Sequence, residues 1–124
     1  TCKNSGGGIR MNSSTYLAIA KPLDTSIPAN PLYIKRNKAA NGGGISTAAN
    51  WLIITGKCEI EGNTATVAGG GVHITRSGSF LIFTNATITK NSAPLGGGIY
   101  LNKGDTGGEL EIGGETSIIG NTVH

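Results

Sequence analysis

The sequence predicts an all-β protein that folds as a right-handed parallel β-helix, a solenoid of about four rungs of ~27 residues with three short strands per rung. Three observations support this fold class. A Gly-Gly-Gly-aliphatic tetrad recurs at a spacing of 27 residues, an Ile-x-x-Asn motif precedes each of these tetrads, and short segments of alternating apolar and polar residues lie between them. A fixed period of this size indicates one structural unit stacked on copies of itself.

Glycine triplets form one predicted corner of each rung, because glycine suits a site that needs a positive φ or a close approach of two backbones. They precede strands and lack a following Gly-Lys-Ser/Thr, so we interpret them as structural and not as a phosphate-binding loop. The predicted corner residues are Gly42, Gly43, Gly44, Gly69, Gly70, Gly71, Gly96, Gly97 and Gly98.

A fourth glycine triplet at residues 6–8 lies 36 residues before the triplet that starts at Gly42, which is one period of 27 residues plus nine. The extra residues fall in residues 21–31, which contain three prolines. Proline cannot donate a hydrogen bond to a β-ladder, so we predict a loop insertion there. The whole chain, residues 1–124, is then a single β-helix segment.

Asparagine forms the other predicted corner, since it tolerates the left-handed conformation and bonds to local backbone. Stacked asparagine amides can also bond to one another from rung to rung, as in other in-register stacks. The residues are Asn37, Asn63, Asn91 and Asn121, each followed two positions later by Ala39, Ala65, Ala93 or Val123.

Three strand segments per rung follow from apolar residues at every second position. In a parallel stack, equivalent residues form columns about 4.8 Å apart. The predicted interior columns are Ile9–Ile45–Val72–Ile99, Ile19–Ile54–Ile82–Ile112 and Ile34–Ile60–Ile88–Ile118.

Composition and charge exclude several classes of function. The net charge of +3 comes from scattered residues, with Lys35-Arg36 the only adjacent basic pair, so we expect no nucleic-acid partner. No apolar run approaches the ~20 residues of a membrane span. Cys2 and Cys58 form no metal-binding motif, and a disulfide between them stays open. We therefore expect no metal and no cofactor.

The ionisable residues indicate no catalytic site. Glu109 and Glu111 share one face of the last rung without an aligned acid in the rungs before it, and Glu59 and Glu61 alternate in the same way. Glycoside-cleaving enzymes need grouped acids, so we interpret these as solvated strand faces. His73 falls in an outward column without a paired acid, and we interpret it as a surface residue. The chain is therefore not expected to be an enzyme.

Four apolar residues occupy positions that the alignment places on the outside, namely Trp51, Ile53, Leu81 and Phe83. An exposed apolar patch often marks a contact surface. The alternative is that this patch is covered by the loop at residues 21–31, which leaves the same side of the rung. Both interpretations stay open at the level of sequence.

The two motifs, Gly-Gly-Gly-Ile/Val and Ile-x-x-Asn, resemble the polymorphic outer-membrane protein repeats of bacterial autotransporter adhesins. That family pairs Gly-Gly-Ala-Ile-type and Phe-x-x-Asn motifs, and isoleucine consistently replaces the phenylalanine here. The resemblance covers nearly the whole chain. It implies an extracellular stalk or adhesin at the bacterial cell surface.

We therefore predict a non-catalytic structural or adhesive module of a bacterial secreted or cell-surface protein. The alternatives are a subunit of a self-assembling extracellular filament and a carbohydrate-active β-helix enzyme that uses Glu109 and Glu111. Unpaired strand edges at the two ends invite pairing. The expected partners are flanking rungs of the same protein or identical copies end to end, together with a host or surface receptor. Because the chain starts with threonine and not with methionine, we expect it to be an excerpt of a longer protein or a processed product.

Overall fold

The computed structural model describes residues 6–12, 16–20, 31–75, 80–102 and 109–124, without the side chains of Leu17, Phe80 and Ile82. The regular structure of these residues consists of β-strands in four separate parallel sheets of four strands each. Every sheet takes one strand from each of four successive repeats of the chain. The predicted loop insertion at residues 21–31 lies outside the described residues except for Pro31.

The sheets are numbered in the order in which the chain first enters them. Sheet 1 contains β1 (Ile9–Met11), β5 (Ile45–Thr47), β9 (Val72–Ile74) and β13 (Ile99–Leu101). Sheet 2 contains β2 (Tyr16–Ile19), β6 (Trp51–Ile54), β10 (Phe80–Phe83) and β14 (Glu109–Ile112). Sheet 3 contains β3 (Leu32–Lys35), β7 (Cys58–Glu61), β11 (Ala86–Thr89) and β15 (Ser117–Ile119). Sheet 4 contains β4 (Lys38–Asn41), β8 (Thr64–Ala68), β12 (Ser92–Ala93) and β16 (Thr122–Val123).

The predicted three strands per repeat are corrected to four, because the segment after each asparagine also pairs as a strand. These sheet 4 strands are as short as two residues, and their buried residues are the small Ala39, Ala65, Ala68 and Ala93. Alanine gives only a weak apolar signal, and two residues are too few for a period of two to be recognised. The sequence therefore predicted only a corner between sheet 3 and the next glycine triplet, where the structure has the corner asparagine followed by a strand.

Two of the three predicted interior columns have the pairing that the sequence predicts. Ile45 pairs in register with Ile9 and Val72, and Ile60 pairs with Ile34 and Ile88. The column in sheet 2 is wrong at one position, since Phe83 and not Ile82 pairs with Ile54 and Ile112.

The error in β10 comes from the length of one corner. Two residues separate Phe83 from β11, whereas three residues separate Ile54 from β7. Because successive side chains of a strand point to opposite faces, counting back a fixed number of residues across a shorter corner assigns every side chain to the wrong face. Leu81 and Phe83, predicted to face outward, are 1% and 0% exposed and belong to the core.

One hydrophobic cluster joins sheets 1, 2 and 3, as adjacent columns of mostly β-branched and leucine side chains stack through the repeats. Cys58 lies in this cluster as a fully buried free thiol. The largest side chains of the cluster are Phe83, Ile45, Leu52, Ile54, Ile60, Ile74, Leu81 and Ile88.

Candidate functional site

The predicted glycine corners bring successive repeats into close backbone contact. Gly69 has a φ of 64°, and its equivalents Gly42 and Gly96 both have 59°. The next glycine, Gly70, lies so close to the following repeat that a Cβ atom would be 2.5 Å from the backbone nitrogen of Ser92. This corner therefore needs glycine for the two reasons that the sequence suggests: Gly69 has a positive φ, and Gly70 leaves no space for a side chain. Backbone atoms of the next repeat confine Gly43, Gly44, Gly71 and Gly97 as closely, whereas a Cβ at Gly98 would meet only side-chain atoms, at 3.0 Å or more.

The predicted asparagine corners form a continuous ladder of hydrogen bonds between repeats. The backbone nitrogen and Nδ2 of Asn63 donate to Oδ1 of Asn91, over 2.9 and 3.0 Å. Asn91 donates in the same way to Oδ1 of Asn121, over 3.0 and 2.9 Å. Asn37 starts the ladder with bonds of 3.0 and 3.1 Å to Oδ1 of Asn63. The side-chain amides therefore hold four repeats in one register.

The amides of Asn63, Asn91 and Asn121 also bond to a strand of the preceding repeat. Nδ2 of Asn63 donates to the carbonyl oxygen of Ile34 over 2.8 Å, and Nδ2 of Asn91 donates to that of Ile60 over 2.8 Å. An amide group offers two donors and two acceptor lone pairs, and Asn91 uses all four. Asn63 and Asn91 are fully buried, so this complete satisfaction is what makes their burial tolerable.

The predicted contact surface is only half formed. Leu81 and Phe83 lie in the core, while Trp51 is 39% exposed and Ile53 is half-buried. Tyr16, which the sequence analysis did not select, is exposed and pairs in register with Trp51 on the neighbouring strand. The outer side of sheet 2 therefore presents two aromatic residues side by side at its first two strands.

A cluster of ion pairs on sheet 3 and its corner was missed. Lys35 Nζ lies 2.7 Å from Glu59 Oε2 and 2.9 Å from Glu61 Oε2, and Lys90 Nζ lies 2.8 Å from Glu61 Oε1. Hydrogen bonds from Lys90 and then Lys35 lower the pKa of Glu61 to about 2. Hydrogen bonds to Glu59 and Glu61 raise the pKa of Lys35. These acids were interpreted as a solvated face, yet the register alone places Lys35 directly beside Glu61.

His73 is not the surface residue that the sequence predicts. Its predicted column is correct, because it pairs with Ser46 on one side and Tyr100 on the other. The imidazole is nevertheless buried and stacks on the Tyr100 ring, with centroids 5.4 Å apart and planes 11° apart. Nδ1 has no hydrogen-bond partner in the described structure, and burial lowers the pKa of His73.

The remaining ionisable candidates stay apart. Glu109 and Glu111 are exposed on β14, where they pair in register with Phe80 and Ile82. Burial, with a smaller contribution from the charge of Glu59, raises the pKa of the Cys58 thiol to about 11. Within the described ranges, no three His, Cys, Asp or Glu side chains are grouped as metal ligands. In the same ranges no helix is long and apolar enough to span a bilayer.

Comparisons with protein-family models, with curated proteins and with solved structures found no match for this chain. The observations that bear on function are therefore features of this chain's own sequence and structure. They are the in-register repeats, the asparagine ladder, the outward aromatic residues of sheet 2 and the charged corner of sheet 3.

Proposed function

We propose that the chain is a segment of a right-handed parallel β-helix, and that it is a non-catalytic structural and adhesive module of a bacterial secreted or cell-surface protein. The observation that carries this proposal is the asparagine ladder, which fixes one register through four repeats. A ladder of this kind stabilises a stack of any number of repeats, because each amide bonds only to residues of the repeat before it and the repeat after it.

The order of the strands supports a coiled path. From β1 to β16 the chain enters sheets 1, 2, 3 and 4 in that order and then repeats the order three more times. Three of these sheets share one hydrophobic cluster. A chain that circles one core in this way, and pairs in parallel with itself one turn later, is the rung geometry that we propose. Each added rung would lengthen the stack by about 4.8 Å.

The fourth repeat supports pairing with further repeats. Ile112 and Val123 continue the columns of Phe83 and Ala93, which are both 0% exposed, yet they are themselves 48% and 69% exposed. Strands β13 to β16 also lie at the edge of every sheet. Exposed strand edges favour pairing with another strand of matching pattern. We propose that flanking rungs of the same protein occupy this face.

The acids of sheet 3 support a non-catalytic role. Both oxygens of Glu61 are bonded to lysines, and the low pKa of this carboxyl keeps it ionised at neutral pH. A general acid needs a pKa near the working pH, so Glu61 is suited to hold charge and not to transfer a proton. Glu59 is bonded to the same lysine, Lys35.

A duplication experiment tests the proposed fold. A second copy of residues 69–95, which is one full period of 27 residues, is inserted directly after Leu95. We expect the variant to fold, to lengthen by about one rung and to unfold with a steeper dependence on urea, because more surface is buried. Small-angle scattering and circular dichroism measure these changes. A control copy that lacks Ile88 loses a core residue of β11 and shifts the residue that follows in this strand to the opposite face, so it is expected to destabilise the protein. Equal stability of the two variants would contradict the proposal.

Adhesion is tested with beads coated with the native chain and, as the control, with the heat-unfolded chain. We expect only the native coating to attach to cultured animal cells or to bacterial cells. Attachment of neither coating would remove the adhesive part of the proposal and leave the structural part.

The exposed face of the fourth repeat also favours the filament alternative. In that case an identical copy of the chain, and not a flanking rung of the same protein, would pair with this face. Sedimentation velocity over a range of concentrations separates the two. Open-ended polymers would support the filament, and a monomer at every concentration would exclude it.

A further inference from the structure

The corner between sheets 3 and 4 has the same backbone conformation in every repeat. The φ angles of Arg36, Gly62, Lys90 and Gly120 are 57°, 64°, 54° and 62°. Glycine adopts this left-handed conformation freely, but a residue with a side chain does so at a cost in free energy. Two of the four corners therefore keep a cationic side chain in a conformation that favours glycine. Such an outlier points to a role for the side chain itself.

The alternation of cation and glycine opens a notch between Arg36 and Lys90. These two residues lie two strand spacings apart, about 10 Å, with Gly62 between them. The Arg36 side chain lies along this corner, with its Cγ 3.8 Å from the position that a Cβ of Gly62 would occupy. Because Gly62 has no side chain, the corner has a cavity of about 200 Å³, which is lined by Lys35, Arg36, Glu61, Gly62 and Lys90. We call this cavity the Arg36–Lys90 notch.

The charges around the notch leave a positive excess. Lys35 and Lys90 are balanced by Glu59 and Glu61, to which they are bonded, and Arg36 adds one charge that no described carboxylate pairs with. An ammonium group has three donors, of which Lys35 uses two and Lys90 one in these ion pairs, and a guanidinium has five. Glu61 therefore holds the two lysines in place, and the ion pairs leave further N–H donors on Lys90 and Arg36.

We propose that the Arg36–Lys90 notch binds the sulfate or carboxylate group of an acidic polysaccharide. The forked guanidinium of Arg36 would bond two oxygens of such a group, and the ammonium of Lys90 would approach it from the opposite side. The proposal rests on the proposed adhesive function, for which it names the ligand class and the site.

A polysaccharide fits the surroundings better than a nucleic acid does. The phosphates of a duplex carry one charge for about every 1.7 Å of helix axis and call for a basic stripe, whereas the notch is a single site with one excess charge. The exposed ring of Tyr33 lies beside it, with Lys35 Nζ 4.6 Å from the ring centroid. A ring next to a cation offers an apolar face and a charged group side by side. A charged sugar residue has both apolar C–H groups and an anionic group, so it can contact both.

The test measures binding of the chain to immobilised heparin, which carries sulfates, and to polygalacturonate, which carries carboxylates, with dextran as the neutral polymer. The key variant is Arg36→Gly, which removes the cation and suits the positive φ, so loss of folding is not expected. Lys57→Gln is the matched control, since it removes one exposed charge at the opposite end of β7.

At low ionic strength we expect Arg36→Gly to weaken binding to at least one of the acidic polymers about tenfold, and Lys57→Gln to change it less than about twofold. Preference for one polymer identifies sulfate or carboxylate as the bound group. Equal loss in both variants would mean attraction by net charge and would overturn the site. No binding of the native chain to either acidic polymer would also overturn it, while the attachment and duplication experiments would still decide the proposed function.

Discussion

Replacement of Asn91 by alanine removes the amide at the centre of the asparagine ladder. Four hydrogen bonds are lost with it, two that Oδ1 accepts from Asn63 and two that Nδ2 donates to Ile60 and Asn121. Each bond contributes about 1 kcal/mol net, so the expected loss is about 4 kcal/mol. Asn91 is fully buried, and the partners left in place have little access to water. A typical domain is stable by only ~5–15 kcal/mol, so this loss is large.

The first asparagine of the ladder provides the matched control. In the ladder the Asn37 side chain makes a single hydrogen bond, from its Nδ2 to Oδ1 of Asn63. In the alanine variant this oxygen would still accept the hydrogen bond from the backbone nitrogen of residue 37. We expect Asn37→Ala to cost about 1 kcal/mol. Asn91→Asp tests the donors separately, because it keeps the shape and the acceptor but places a second carboxylate oxygen against the carbonyl of Ile60. It is expected to be at least as destabilising as alanine at neutral pH.

Urea unfolding followed by circular dichroism gives the free energies of unfolding for the three variants and the native chain. We expect the free energies of unfolding of Asn91→Ala and Asn37→Ala to differ by about 3 kcal/mol. Free energies of unfolding within about 1 kcal/mol of each other for the two alanine variants would show that the ladder is not a cooperative source of stability.

Three further predictions use the same unfolding measurement or a chemical probe. Burial lowers the pKa of His73, so as the pH falls the unfolded chain protonates this imidazole before the folded chain does, and the free energy of unfolding should decrease below about pH 6.5. His73→Phe should weaken this dependence of stability on pH. The same pH dependence in the variant would contradict the prediction. With Cys2 replaced by serine, Cys58 should react with iodoacetamide only after unfolding, because its thiol is buried and its pKa is about 11; rapid labelling of the native protein would argue against this. Gly70→Ala should cost about 3 kcal/mol, since its Cβ would meet backbone atoms of the next repeat. Gly113→Ala, where no atom lies within 4 Å of the added Cβ, should be neutral or slightly stabilising. Similar free energies of unfolding for both variants would show that the repeats move apart to accept the methyl group at Gly70.

The repeat and its corners could be predicted because they are written in local residue types at a fixed period. Glycine and asparagine mark sites of unusual backbone conformation, and the Asn63–Asn91 bond follows directly from stacking equal residues. The columns of sheets 1 and 3 follow for the same reason, since their β-branched residues recur at equal distances from the corners.

The predictions that were wrong depend on the lengths of individual corners and on contacts between repeats, and the repeat period gives neither. One residue fewer between Phe83 and β11 was enough to turn Leu81 and Phe83 from predicted surface residues into core residues. The fourth strand was missed because alanine is a weak apolar signal. His73 was assigned to the surface from its column alone, whereas its stacking on Tyr100 is a contact between repeats.

From the sequence alone it follows that this protein consists of similar β repeats with glycine and asparagine corners, because a period of 27 residues and the conformational preferences of these two residues are local properties. Only the tertiary structure decided which face each residue of β10 takes, which acids are bonded to lysines, and that Arg36, Gly62 and Lys90 form one notch. The physical reason is that residues about 27 positions apart become neighbours at about 4.8 Å only when the repeats stack.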